Sequence, residues 1–215
     1  MKKYIFTLLL ALTLVQVNAS KKEYYKAMGE ALSGFSSCKT IDDFQNLANK
    51  FERIATTESA EWLPLYYHAQ CYILMSFMEP ADAKKKDAYI DAAEKSIAKL
   101  TEAEPNNSEV LTLQAFAYTA RLVVNPMERG QKYSMLSAQT LGMALAADPS
   151  NPRAKLLKIQ NEMGTAQFFG SDVSVFCDQA KSLLENWDSF KPASALHPTW
   201  GKDQVQAIVD TCNKK

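Results

Sequence analysis

Ala93-Glu94-Lys95-Ser96-Ile97-Ala98-Lys99-Leu100-Thr101-Glu102-Ala103-Glu104-Pro105 is the stretch that decides the fold. Ala93, Ile97 and Leu100 lie on one face of a helix, and Pro105 stops it. The set recurs 44 positions on as Ser137, Leu141, Ala144 and Pro149, and 43 further on as Ala180, Leu184, Trp187 and Pro192. Self-similarity at a fixed period marks stacked units, each of which buries its apolar face only against its neighbours. Outward from this core the pattern stays helical. Tyr24, Met28, Ala31, Leu32 and Phe35 form one stripe, and Phe44, Leu47, Ala48, Phe51, Ile54 and Ala55 form a second, opened by Thr40 and Asp43 as caps. An apolar helix is expected over about 61–78, where Pro64 falls in the first turn, which lacks intrahelical N–H partners anyway. Asn151-Pro152 reads as an N-cap followed by proline at the first helical position. Val205, Ile208, Val209 and Cys212 form a last stripe. With only seven glycines in the chain and no strand alternation, the class is all-α.

The offsets within each unit are similar to the second half of the tetratricopeptide (TPR) pattern. The first half is degenerate: Trp62-x-x-Leu65 fits it, while Val110 with Leu113 and Ala154 with Leu157 keep only the apolar positions. The expected fold is therefore a degenerate TPR-like helical-hairpin solenoid, a right-handed α-α superhelix with a C-terminal capping helix. One domain spans 20–215, with an opening hairpin over 20–58, repeats at about 59–105, 106–149 and 150–192, and the cap over 193–215. The period exceeds the usual TPR length of about 34 residues. The excess is expected in the connections Glu79 to Asp87, Asn125 to Gln131 and Gln167 to Asp172. Lys84-Lys85-Lys86 then reads as a solvated loop, and Phe168-Phe169 before Gly170 as a core plug beneath a turn.

Residues 1–19 read as a secretory signal peptide: Lys2 and Lys3, an apolar run from Ile5 to Val17, and Val17-Asn18-Ala19 before Ser20. The run is shorter than the roughly 20 residues a bilayer helix needs. Cleavage after Ala19 and export to the periplasm or beyond are expected. Loss of the two lysines from 24 basic and 24 acidic side chains leaves a slightly acidic mature chain, with no electrostatic footprint for nucleic acid. Cys38, Cys71, Cys177 and Cys212 remain in it. Each fits as a small buried hydrophobe, and the favoured pair for a disulfide is Cys177 with Cys212.

Catalytic constellations do not emerge. No phosphate-cradling glycine loop occurs, so nucleotide binding is not expected, and neither is any cofactor or metal. Asp42-Asp43 suits a helix start. His68 reads as a hydrogen-bonded side chain beside the core, and His197 as part of a turn that aims Trp200. The chain is expected not to be an enzyme.

Trp62-Leu63-Pro64-Leu65-Tyr66-Tyr67, Asn125-Pro126-Met127-Glu128-Arg129-Gly130-Gln131, Asp148-Pro149-Ser150-Asn151-Pro152-Arg153-Ala154 and His197-Pro198-Thr199-Trp200-Gly201-Lys202 together resemble short exported TPR-like proteins common in Bacteroidetes-type bacteria. The resemblance implies a helical-hairpin solenoid in the cell envelope and carries over no functional residues. The function expected first is a scaffold that binds a peptide or helix of a protein partner, using Tyr66, Tyr67, Tyr118, Arg129, Gln131 and Tyr133 as candidate contacts. The alternative is a small-molecule or glycan site, with Tyr66, Tyr67, Tyr118 and Tyr133 in a pocket between hairpins.

Overall fold

The computed structural model describes residues 21–214, so the segment 1–19 expected to be a signal peptide lies outside the described residues. Among the described residues there are nine α-helices and no strands. Helix α1 covers 21–33, and a 3-10 turn, Gly34–Ser37, leads to α2 (Ile41–Thr57). Then come α3 (Leu63–Met78), α4 (Ala83–Ala103), α5 (Ser108–Val124) and α6 (Pro126–Ala147). They are followed by α7 (Pro152–Phe168), α8 (Ser174–Glu185) and α9 (Lys202–Cys212). Each helix from α2 onward packs on its chain neighbour, and α3 with α5, and α5 with α7, also pack directly, so these three make a central row. None of the described helices is long and apolar enough to cross a membrane.

The helix starts follow from side-chain capping. Thr40 and Asp43 form a reciprocal capping box on α2: the Asp43 N–H donates to Thr40 Oγ1 at 3.2 Å, and the Thr40 N–H donates to Asp43 Oδ2 at 2.9 Å. The side-chain oxygens of Asn107 and Asn151 accept from the free N–H groups that open α5 and α7. Helix α3 is apolar all round, and so it is enclosed: Tyr66, Tyr67, Cys71, Ile73 and Met75 are all buried. The recurring positions Ala93, Ile97, Leu100, Ser137, Leu141, Ala144, Ala180 and Trp187 are buried, and Leu184 is partly so. His68 Nδ1 sits 2.9 Å from Ser96 Oγ, as expected of a core-side histidine.

Two expectations are corrected. The first two connections are short, because a carboxylate or amide starts the next helix almost at once, whereas residues 169–173 between α7 and α8 fall close to the expected Gln167 to Asp172. Asp82 Oδ1 accepts from the Lys84 and Lys85 N–H groups, so Lys84-Lys85-Lys86 is the first turn of α4. Asn125 is both the last residue of one helix's cap and the first of the next, with Pro126 at N1 of α6. The long period therefore sits in helix length, with 21 residues in α4 and 22 in α6. Phe168 and Phe169 are not a plug but 64% and 74% exposed. Helix α7 closes on left-handed Gly170, with the Ser171 N–H donating to Ala166 O at 2.8 Å, and this end carries the pair past the last covered turn.

Residues 190–201 run without helix across the central row. The Tyr67 hydroxyl, from α3, donates to Leu196 O at 2.7 Å, and the Trp200 Nε1–H donates to the Tyr66 hydroxyl at 2.9 Å. The Trp200 ring stacks on Phe116 of α5 at 5.5 Å, and Phe116 stacks on Phe77 of α3 at 5.3 Å. At the far end of the segment Gly201 has φ +113, and a Cβ there would stand 2.8 Å from Trp187 Cη2 and 3.1 Å from Leu156 Cδ2. Gly201→Ala combines backbone strain with overpacking, and is expected to destabilise the fold by about 3 kcal/mol in denaturant unfolding. A loss below about 0.5 kcal/mol would mean that Trp187 moves aside freely.

Candidate functional site

A cavity of about 520 Å³ opens where the starts of α5 and α7 meet the segment Ser189–His197. Trp62 and Phe190 supply aromatic walls, His197 closes one side, and Lys155 and Lys191 stand exposed at the rim. The Trp62 ring meets the His197 ring edge-on at 5.6 Å. The volume falls in the range of about 300 to 1,000 Å³ that drug-sized ligands occupy.

The floor is a buried ion pair between α5 and α7. Arg153 Nε donates to Glu109 Oε2 at 2.8 Å and Nη2 donates to Oε1 at 2.5 Å. Asn151, fully buried, ties this pair to the helix starts: its Nδ2 donates to Glu109 Oε1 at 2.9 Å, and its Oδ1 accepts from the Arg153 and Ala154 N–H groups. Burial pulls against the Arg153 charge, but Glu109 outweighs it and holds the guanidinium above its ordinary range. The Phe190 ring covers the guanidinium face, 4.8 Å from its carbon. His197 is pushed below the usual imidazole range, first by burial. Its Nδ1 lies 2.8 Å from Ser194 Oγ, and that oxygen also accepts the Leu196 N–H, so a short turn fixes the ring plane.

Two other hollows differ from it in lining. One of about 380 Å³ lies against the Cys177–Cys212 disulfide, with Met163, Val173 and Ile208 around it and no charged group. The other is an open basin on α4, α5 and α6 in which Asp87, Asp91, Arg121 and Arg129 are paired with one another. Asp87 accepts from Arg129 Nη1 and Nη2 at 2.7 and 2.9 Å and from Arg121 Nη1 at 2.7 Å. Hydrogen bonding from Arg129 leads in holding the Asp87 carboxyl below its usual range.

The six residues expected as contacts fall in two places. Tyr66 and Tyr67 are in the core, with burial driving both phenols upward. Tyr118, Arg129 and Tyr133 come together on α5 and α6, with the Tyr118 and Tyr133 rings 6.1 Å apart, and Gln131 is exposed on the same helix. The four tyrosines therefore do not line one pocket, because enclosure of α3 consumes two of them. Glu109, Arg153 and Phe190 were not among the expected residues. A signal for the first two existed: opposite charges stand 44 positions apart, each two residues after an asparagine cap.

No protein-family model matches the chain, and no curated protein matches it. Among solved structures the chain is similar to the HusA haemophore from Porphyromonas gingivalis, at 31% sequence identity, with a TM-score of 0.77. The likeness covers 89% of this chain and 93% of that one. It corrects the leading functional expectation. A haemophore takes up a small ligand rather than a peptide or helix. The small-molecule alternative is the reading that the likeness favours. At this identity and coverage, the chain belongs to the family of the HusA haemophore.

Proposed function

We propose that this protein binds haem or a closely related tetrapyrrole as cargo and carries it without catalysing a reaction on it. The observation behind this is the likeness to a haemophore over nearly the whole of both chains. The residues of the 520 Å³ cavity fit such a ligand. A tetrapyrrole is a flat, largely apolar ring that carries carboxylates. Trp62 and Phe190 offer aromatic surfaces to the ring, while Arg153, Lys155 and Lys191 offer cations. Burial lowers the His197 pKa, which disfavours a further charge beside an apolar ring.

In this reading the stacked hairpins are a degenerate, TPR-like right-handed superhelix, closed by α9, that holds residues 190–201 in place. Export after cleavage at Ala19 would put the carrier where external tetrapyrrole is met. Titration of haem into the purified mature chain is expected to shift the Soret band and quench tryptophan fluorescence saturably. Trp62→Ala/Phe190→Ala is expected to weaken binding at least about tenfold, since stacking is worth about 1 kcal/mol or more per ring. Unchanged spectra at every haem concentration would sink the proposal, and undiminished binding by the double variant would move the site elsewhere.

A further inference from the structure

We infer that the cavity takes its ligand by a carboxylate, seated on the free edge of Arg153 and steered there by Lys155 and Lys191. The inference rests on the tetrapyrrole reading above and adds the feature of the ligand that is recognised.

The argument begins with the guanidinium's donors. Arginine presents five N–H groups in a rigid planar fork. Glu109 engages one edge through Nε and Nη2. Phe190 lies against the face. Nη1 has no hydrogen-bond partner among the described residues, although the Arg153 side chain is only 2% exposed. Nor is Nη1 sealed off as an orphan in the core, because the residue borders the cavity. A buried cation held rigid on one edge, with an unpaired donor on a residue that borders the cavity, is a receptor for an anionic oxygen, and charge assistance makes that bond stronger than a neutral one.

The surrounding charge agrees. Three cations, Arg153, Lys155 and Lys191, border the cavity against two carboxylates. Glu109 is committed to Arg153 and Asn151, and Asp148 Oδ1 accepts from the Ser150 N–H and hydroxyl at 2.9 and 2.6 Å. Lys155 makes no ion pair among the described residues, and Lys191 Nζ donates only to the Asp188 carbonyl, at 3.0 Å. The starts of α5 and α7 both border the space, and their dipoles add to the positive potential.

The test compares protoporphyrin IX with its dimethyl ester, which keeps the ring and lacks the carboxylates. Both are titrated into the mature chain at low and high salt. The free acid is expected to bind at least about tenfold more tightly than the ester, as for a charge-assisted hydrogen bond. Salt should weaken the acid and leave the ester unaffected. Lys155→Glu/Lys191→Glu alters only exposed side chains and should weaken the acid selectively. Arg153→Lys keeps the charge and loses the fork, and circular dichroism tells whether that variant still folds. Equal affinity for acid and ester, with the lysine double variant unchanged, overturns the carboxylate assignment and leaves tetrapyrrole binding standing. Binding of neither probe overturns both.

Discussion

Glu109→Ala is expected to destabilise the protein by about 3 to 5 kcal/mol, since it strands a buried guanidinium. Arg153 is only 2% exposed, and both of the carboxylate oxygens that it loses are its own hydrogen-bond acceptors. Asn151 Nδ2 loses an acceptor as well, at the cap of α7. The damage therefore falls on the junction of α5 and α7 rather than on a surface pair worth a few tenths of a kcal/mol. Urea unfolding followed by circular dichroism measures it. Glu109→Leu/Arg153→Met, which removes both charges and keeps apolar volume, should recover most of the loss, because the cost lies in the unpaired charge and not in the missing attraction. A loss below about 1 kcal/mol for Glu109→Ala would mean that water reaches Arg153 freely and that the pair is peripheral.

Cys177→Ser/Cys212→Ser is expected to lower stability by about 4 kcal/mol, the chain-entropy value for a loop of this length. The bond joins α8 to α9 across 35 positions of sequence. It closes the smaller of two apolar clusters, in which Leu156, Ile159, Ala180, Leu183, Trp187, Val205 and Val209 are the buried members. So small a cluster holds two terminal helices weakly by itself. Reductant acting on the unaltered protein should reproduce the effect of the double variant, since Cys38 and Cys71 are free thiols and Cys71 is buried. The midpoint of urea unfolding, with and without dithiothreitol, checks this. Identical midpoints would show that packing of α8 and α9 suffices. Because Leu183 and Phe190 border the 520 Å³ cavity and lie between the two bridged cysteines, reduction is also expected to weaken the tetrapyrrole binding proposed for it.

Local interactions made much of this architecture legible. The capping box at Thr40 and Asp43, the Asn151-Pro152 helix start and the stripe Val205, Ile208, Val209 and Cys212 each depend on residues within two turns of one another. Short range is the reason that they can be read from spacing alone. The helical class followed in the same way, and so did burial of the recurring Ala93, Ile97 and Leu100 set. The favoured cysteine pair, Cys177 with Cys212, is the one that is bonded.

The remainder depended on where separate segments meet. Phe168 and Phe169 are apolar in any reading, but whether they are covered depends on how far α7 outruns its neighbours. Tyr66 and Tyr67 looked like recognition aromatics until enclosure of α3 placed both in the core. The pairing of Glu109 with Arg153 spans 44 positions, and the passage of residues 190–201 over α3 joins positions 129 and 134 apart. Spacing along the chain thus determined the helical class, the caps at Thr40 and Asn151 and the apolar stripes, because those interactions reach only a few residues, whereas the starts of α4 and α6 read as connections. Tertiary structure alone decided which faces are covered and where aromatic and charged groups converge on a cavity, because those contacts join residues whose separation in sequence carries no record of their distance in space.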